Sequence, residues 1–343
     1  ALTDSTFRSA FMATSSGVGG SLMRARPKAV AQIPIPIAPL NEQRRIVDKL
    51  DRIGDRQRSA RNELNHIPKL IARYKQAVLA AACSGKLTED WREKKGLPKS
   101  CVLRLTLTQP YERRFFAPEH WQNYCLGEVC NFIGGSQPPK SDFSYTPQTG
   151  YIRLIQIRDY KSDDFLTYVP IKSVRRFCNA NDVMIGRYGP PIFQILRGLE
   201  GAYNVALMKA EPALQDVDLD FIFYFLQDPD LFKYIEIGSD RTAGQSGVNK
   251  NHLEKYPAFI PPLEEQKEIV QRVEKMFAKI GKMEEEYQKA VKLCDRLEQA
   301  TLAKAFRGEL VAQDPDDEPA SVLLEQVKRE KQVQPKGKSV KSK

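Results

Sequence analysis

Apolar residues recur along two stretches of this chain at alternating steps of four and three. One seam runs Ile46, Leu50, Ile53, Gln57, Ala60, Leu64, Ile67, Ile71, Tyr74, Val78. The other runs Ile269, Val273, Met276, Ile280, Met283, Tyr287, Ala290, Cys294, Leu297, Thr301. Gln57 and Thr301 interrupt the seams, and most residues between are charged. Sustained 3.5-residue spacing predicts coiled-coil helices. Roughly 40 helical residues make a rod of about 60 Å.

The two stretches are copies. Pro39-Leu-Asn-Glu-Gln-Arg-Arg-Ile-Val47 returns as Pro262-Leu-Glu-Glu-Gln-Lys-Glu-Ile-Val270. Gln76-Ala-Val-Leu-Ala-Ala-Ala-Cys-Ser-Gly-Lys-Leu87 returns as Gln299-Ala-Thr-Leu-Ala-Lys-Ala-Phe-Arg-Gly-Glu-Leu310. Both ends align at one constant offset. A loop absorbs insertions, whereas a packed helix cannot without rotating its apolar face. Pro68 predicts a kink or a short break, since proline removes a helical hydrogen bond. Gly85 and Gly308 suit the two C-caps.

Before the second copy, a Gly/Ser turn (Gly244–Lys250) leads into the Pro-punctuated apolar stretch Tyr256–Pro262. Before the first copy, Ser16–Ser21 and the strand-like Ile33–Ile37 follow the same order, so residues 1–38 read as the end of a domain whose body is missing. A polar linker, residues 88–100, leads into a compact domain ending at Ile260. Its strand candidates are Tyr151–Ile157, Asp182–Tyr188 and Ala202–Ala210; Asp218 and Asp228 suit helix N-caps. Phe221, Tyr224 and Phe225 sit at helical spacing and read as core. Polar, Gly/Pro-rich loops separate these elements at 134–140, 186–191 and 240–250. A short amphipathic helix is expected over Ser321–Lys331.

Composition changes this picture little. The net charge is +10, but the last sixteen residues hold seven Lys or Arg against one Glu. A basic tail is usually a solvated end. The six cysteines and three histidines are scattered, without zinc-ligand clustering. Thiols in a reducing cytoplasm are the expectation. No apolar run approaches membrane-span length. Ser84-Gly-Lys-Leu87 lacks the upstream glycine and the Ser/Thr of a phosphate loop. Neither a methyltransferase Asn/Asp-Pro-Pro-aromatic signature nor a G-x-S-x-G elbow occurs, so the sequence points away from catalysis.

Two rods tethered to one compact domain most simply run antiparallel. The fold expected is α+β: a globular domain of strands and helices flanked by two long helices in an antiparallel coiled-coil spacer. With a second head at the far end this is a dumbbell with a pseudo-twofold axis. Such a spacer exceeds one DNA turn, about 34–36 Å.

Pro39–Val47, Tyr74–Trp91 and Leu302–Leu310 resemble the conserved regions of type I restriction-modification specificity (S, HsdS) subunits. The 321–331 helix and basic tail are similar to that family's C-terminus, and the resemblance covers the chain from about residue 20 onward. It implies these parts: 1–38, the end of a first target recognition domain; 39–87, spacer helix one; 88–260, a target recognition domain; 261–310, spacer helix two; 311–343, a short helix and flexible tail. It further implies a non-catalytic, cytoplasmic, prokaryotic subunit that reads one half of a bipartite site in double-stranded DNA. Its helices would dock two methyltransferase (M) subunits, which use S-adenosylmethionine, and translocating restriction (R) subunits would join them. The chain itself would hold no cofactor or metal. The departure is the missing first recognition domain. The chain is then either part of a longer protein or a half-length subunit that self-dimerises on an interrupted palindrome.

The candidate DNA contacts are Arg153, Gln156 and Arg158, with Arg187 and Tyr188, on or just after strands, and Ser136, Gln137 and Lys140, with Gln245, Asn249 and Lys250, in two polar loops. Arg can fork onto guanine O6/N7, and Gln or Asn onto adenine N6/N7. Lys and loop amides more often hold phosphate. The alternative reading is a coiled-coil scaffold that binds only proteins.

Overall fold

The computed structural model describes residues 5–16, 24–98, 101–107, 113–242 and 245–333. It divides into two compact units: residues 1–70 with 282–343, and residues 71–281.

Both long helices form, Leu40–Cys83 and Leu263–Phe306, each of 44 residues and with equivalent ends. Pro68 lies inside the first without ending it. Each helix stops before a left-handed glycine, Gly85 at φ 76° and Gly308 at φ 71°, a backbone state that costs glycine no Cβ clash. In the first unit the helices run antiparallel. Lys49 donates to the Leu310 carbonyl at 2.7 Å, and Arg61 reaches Asp295 at 2.9 Å and Glu298 at 3.2 Å. Arg45 forks onto Asp317, and this hydrogen-bonded pairing holds the Asp317 carboxyl below its usual range. The short helix expected near the C-terminus spans Ala320–Val333.

The seams are less continuous than the heptads predict. Ile71, Val78, Ile269, Val273, Ile280 and Thr301 are buried, whereas Tyr74, Met283 and Leu297 are exposed. One facing helix covers only part of an apolar stripe, and burial is deepest where the compact domain also packs. The strand expected over Ile33–Ile37 is absent: residues 34–39 are irregular, and Ile35 and Ile37 are exposed. Its counterpart Pro257–Ile260 is a strand because it pairs with Gln122–Cys125. Among the described residues of the first unit no equivalent partner strand stands beside 33–37. Most of the Gly/Ser turn at 16–21 lies outside the described residues, as do most of the basic tail and parts of the 88–100 and 240–250 segments.

The second unit holds the domain's core. One four-stranded antiparallel sheet orders Gln194–Leu196, Val183–Gly186, Leu207–Pro212 and Cys130–Gly134. A second orders Tyr168–Pro170, Tyr151–Ile155, Gly201–Tyr203 and Phe177–Cys178, with one parallel pair. The stretch 202–210, expected as one strand, is two strands in two sheets. The reason is Asn204, whose Oδ1 accepts from the Ala206 amide at 3.1 Å while its carbonyl accepts from Leu207. That closes a side-chain-supported turn. Asp218 and Asp228 cap the helices Leu219–Phe225 and Pro229–Ile237 through their side chains. Phe221 and Phe225 are core, together with Val78, Leu79 and Ala82 of the first long helix and Ile269 and Val273 of the second.

The segment after the first long helix is more than a linker. Thr88 and Arg92 are completely buried on Glu265, in the first turn of the second long helix. Glu265 Oε1 accepts from Thr88 and from Arg92 Nη1, both at 2.7 Å. Its Oε2 lies 2.7 Å from His120 Nε2 and accepts from the Trp121 indole at 2.9 Å. Burial pushes this carboxyl up, but the four hydrogen bonds outweigh it and hold the group below its ordinary value. Next to it, Gln266 accepts from the Asp218 amide and donates to the Asp216 and Pro261 carbonyls, each at 2.8 Å.

Candidate nucleic-acid interface

Three of the four candidate groups meet the turn at 204–206. The 134–140 loop approaches it closely: a Cβ on Gly135 would stand 2.1 Å from the Asn204 carbonyl oxygen, so only glycine fits there. The Ser136 amide donates to the Tyr203 carbonyl at 3.2 Å. Within the second group, the carbonyl of Ile155, at the end of the strand Tyr151–Ile155, accepts from the Asn204 amide at 3.1 Å. From the third, the Arg187 amide donates to the Ala206 carbonyl at 2.9 Å, and its Nη1 lies 3.5 Å from the Val205 carbonyl. The fourth joins through Arg187, whose carbonyl accepts from the Val248 amide at 3.0 Å, and through a bridge between Tyr188 and Gly247. Loops scattered over more than a hundred residues are thus fastened together by backbone hydrogen bonds.

The candidate side chains are not equally available. Gln137 and Lys140 are exposed, the latter opening a short 3-10 helix. Ser136 Oγ is buried and has no hydrogen-bond partner among the described residues. Arg153 lies on the strand Tyr151–Ile155 and donates to Asp163 at 2.9 Å. Gln156 caps the 3-10 helix Ile157–Tyr160 and donates from Nε2 to Thr167 at 3.2 Å. Arg158 is half-exposed over the Phe165 ring. Beside it, burial pushes the Asp159 carboxyl up. Arg187 lies 5.5 Å from the Tyr188 ring, and Tyr188 is exposed. Gln245 belongs to the strand Gln245–Gly247. Asn249 caps the helix Lys250–Glu254 by accepting from His252 at 3.1 Å, and Lys250 lies 3.5 Å from Glu254.

Arg153, Gln156 and Asn249 therefore have intramolecular work. Lys140, Gln137, Arg158, Tyr188 and Lys250 are exposed, whereas Arg187 is half-buried with its Nε buried and its Nη1 on the Val205 carbonyl. The Asn204-Val-Ala206 turn that organises them, with Val205 40% exposed at its centre, is not among the sequence-predicted candidates. An Asn inside an otherwise apolar alternation was the available signal.

Residues 118–292 match the model of the family described as type I restriction modification DNA specificity domain. The chain is 28% identical over 344 residues to the type I restriction enzyme EcoKI specificity subunit of Escherichia coli K12, covering 93% of this chain and 68% of that one. The EcoDI specificity subunit of Escherichia coli is 26% identical over 333 residues, covering 93% and 73%. Among solved structures, the HsdS subunit from Thermoanaerobacter tengcongensis aligns at TM-score 0.52 and 24% identity, over 89% of this chain and 68% of that one. A chain from a structural study of assembly and conformational transition in the type I R-M system aligns at TM-score 0.59 and 23% identity, over 90% and 69%.

Proposed function

Because the chain belongs to the type I restriction modification DNA specificity family, we propose that its 88–260 region reads one half of a bipartite site in double-stranded DNA. The long helices dock methyltransferase subunits, which hold S-adenosylmethionine and carry out the chemistry; restriction subunits join the same assembly. The chain contributes recognition and no catalytic group. The observation that carries this reading is the fastening of three candidate segments onto one turn, with a fourth tied on through Arg187. It gives a preorganised surface of Arg, Lys, Gln and Tyr groups. Lys140 and Lys250 hold phosphates, while Arg158, Arg187 and Gln137 address base edges.

The test is methyl transfer to DNA by the co-purified methyltransferase subunit, with and without this chain. Transfer that needs the chain and falls on one recurrent motif supports the reading. Equal transfer at the same sites by the methyltransferase subunit alone overturns it.

A further inference from the structure

We propose that Glu265 is a positioning residue that sets how the recognition domain is mounted on the long helices, and so which separation of half-sites is accepted. This rests on the functional reading above and goes beyond it, because it concerns spacing rather than base identity. Glu265 joins three parts of the chain far apart in sequence. These are the segment leaving the first long helix (Thr88, Arg92), the turn before the strand Gln122–Cys125 (His120, Trp121), and the first turn of the second long helix. Arg92, Thr88 and Glu265 are all 0% exposed.

Apolar packing alone is non-directional and tolerates small rotations. A buried carboxylate shared by four donors does not, since any rotation strands a desolvated polar group. Gln266 adds a second fastening to the Asp216–Asp218 segment. Arg272 adds a third, donating to the Leu87 carbonyl at 2.8 Å and to Asp90. The Glu-Gln pair is repeated at the head of the first long helix. There Glu42 is buried, and Gln43 donates to the Ala38 carbonyl at 2.7 Å, the counterpart of Gln266 donating to Pro261. The buried glutamate and the glutamine contact to the preceding carbonyl thus recur at the head of both spacer helices, and the four-donor cluster belongs to Glu265. None of these residues belongs to the four loops, so mounting and base reading are separable by mutation.

The experiment compares methylation of a duplex panel in which the separation of the half-sites is native, one base pair longer or one shorter. It uses the complete chain with its methyltransferase subunit. Glu265→Gln and the milder Thr88→Val, which removes one donor and keeps the Arg92 pair, should raise methylation of shifted duplexes relative to native by about tenfold, with base preferences unchanged. An unchanged ratio in both variants overturns the proposal, as does loss of base preference at native spacing. Wild-type protein that methylates no bipartite site overturns the functional reading itself, and is distinguished from those outcomes by the wild-type lane alone.

Discussion

The carbonyl of Arg187 accepts a hydrogen bond from the amide of Val248 at 3.0 Å, tying two candidate DNA-reading loops whose sequence positions are far apart. Val248 itself is buried. Replacing it with proline removes the amide and should cost about 1 kcal/mol or more of stability. The larger effect should be on site-specific methylation, read by comparing methyl transfer with the denaturation midpoint. A parallel fall in both would show that the tie is only structural.

Arg187, half-buried beside the 204–206 turn, carries the base-reading claim most heavily. Arg187→Ala should relax one position of the half-site by about 1–3 kcal/mol. Arg187→Lys should not rescue it, because an ammonium lacks the planar fork. Competition with duplexes mutated one base pair at a time measures this. Uniform weakening across all sequences would instead make Arg187 a phosphate contact.

Lys140 and Lys250 should behave in that second way. Alanine at either should weaken binding to all duplexes alike and flatten the plot of log K against log salt by about 0.9 per phosphate lost. Titration of the assembled complex across a salt series checks it, and an unchanged slope would remove that lysine from the interface.

Glu265 gives the chain a signature in stability. Glu265→Ala leaves the Arg92 charge buried and should cost about 3–5 kcal/mol. The depressed carboxyl fixes the sign of the pH effect. Its contribution is complete above the ordinary glutamate range and is lost as pH falls through the lower folded value. Denaturant titrations between neutral and acidic pH should therefore show wild type converging on Glu265→Gln as the pH drops. Parallel curves would contradict the assignment.

The long helices were legible because their apolar period and matched ends are local properties of the chain. So were the glycine stops and the Asp218 and Asp228 caps. The burial of Arg92 and Glu265 was not, although Glu265 lies in the repeated motif: charged residues read as solvent-facing until their partners, here more than 140 residues distant, are known. The break at Asn204 was hidden by the apolar residues on both sides, which satisfy a strand pattern equally well as one strand or two. The loop residues were found by type and place. Which of them are spent on internal hydrogen bonds, as Gln156 and Asn249 are, depends on tertiary neighbours that no local pattern encodes.

The most direct test of the central claim is methylation mapping of DNA from cells carrying the chain with its methyltransferase subunit, against a variant with alanine at Gln137, Lys140, Arg158, Arg187 and Tyr188. The account predicts an interrupted motif for the wild type, with specificity altered or lost in the variant in the part this domain reads. The same motif at the same occupancy in both would contradict it.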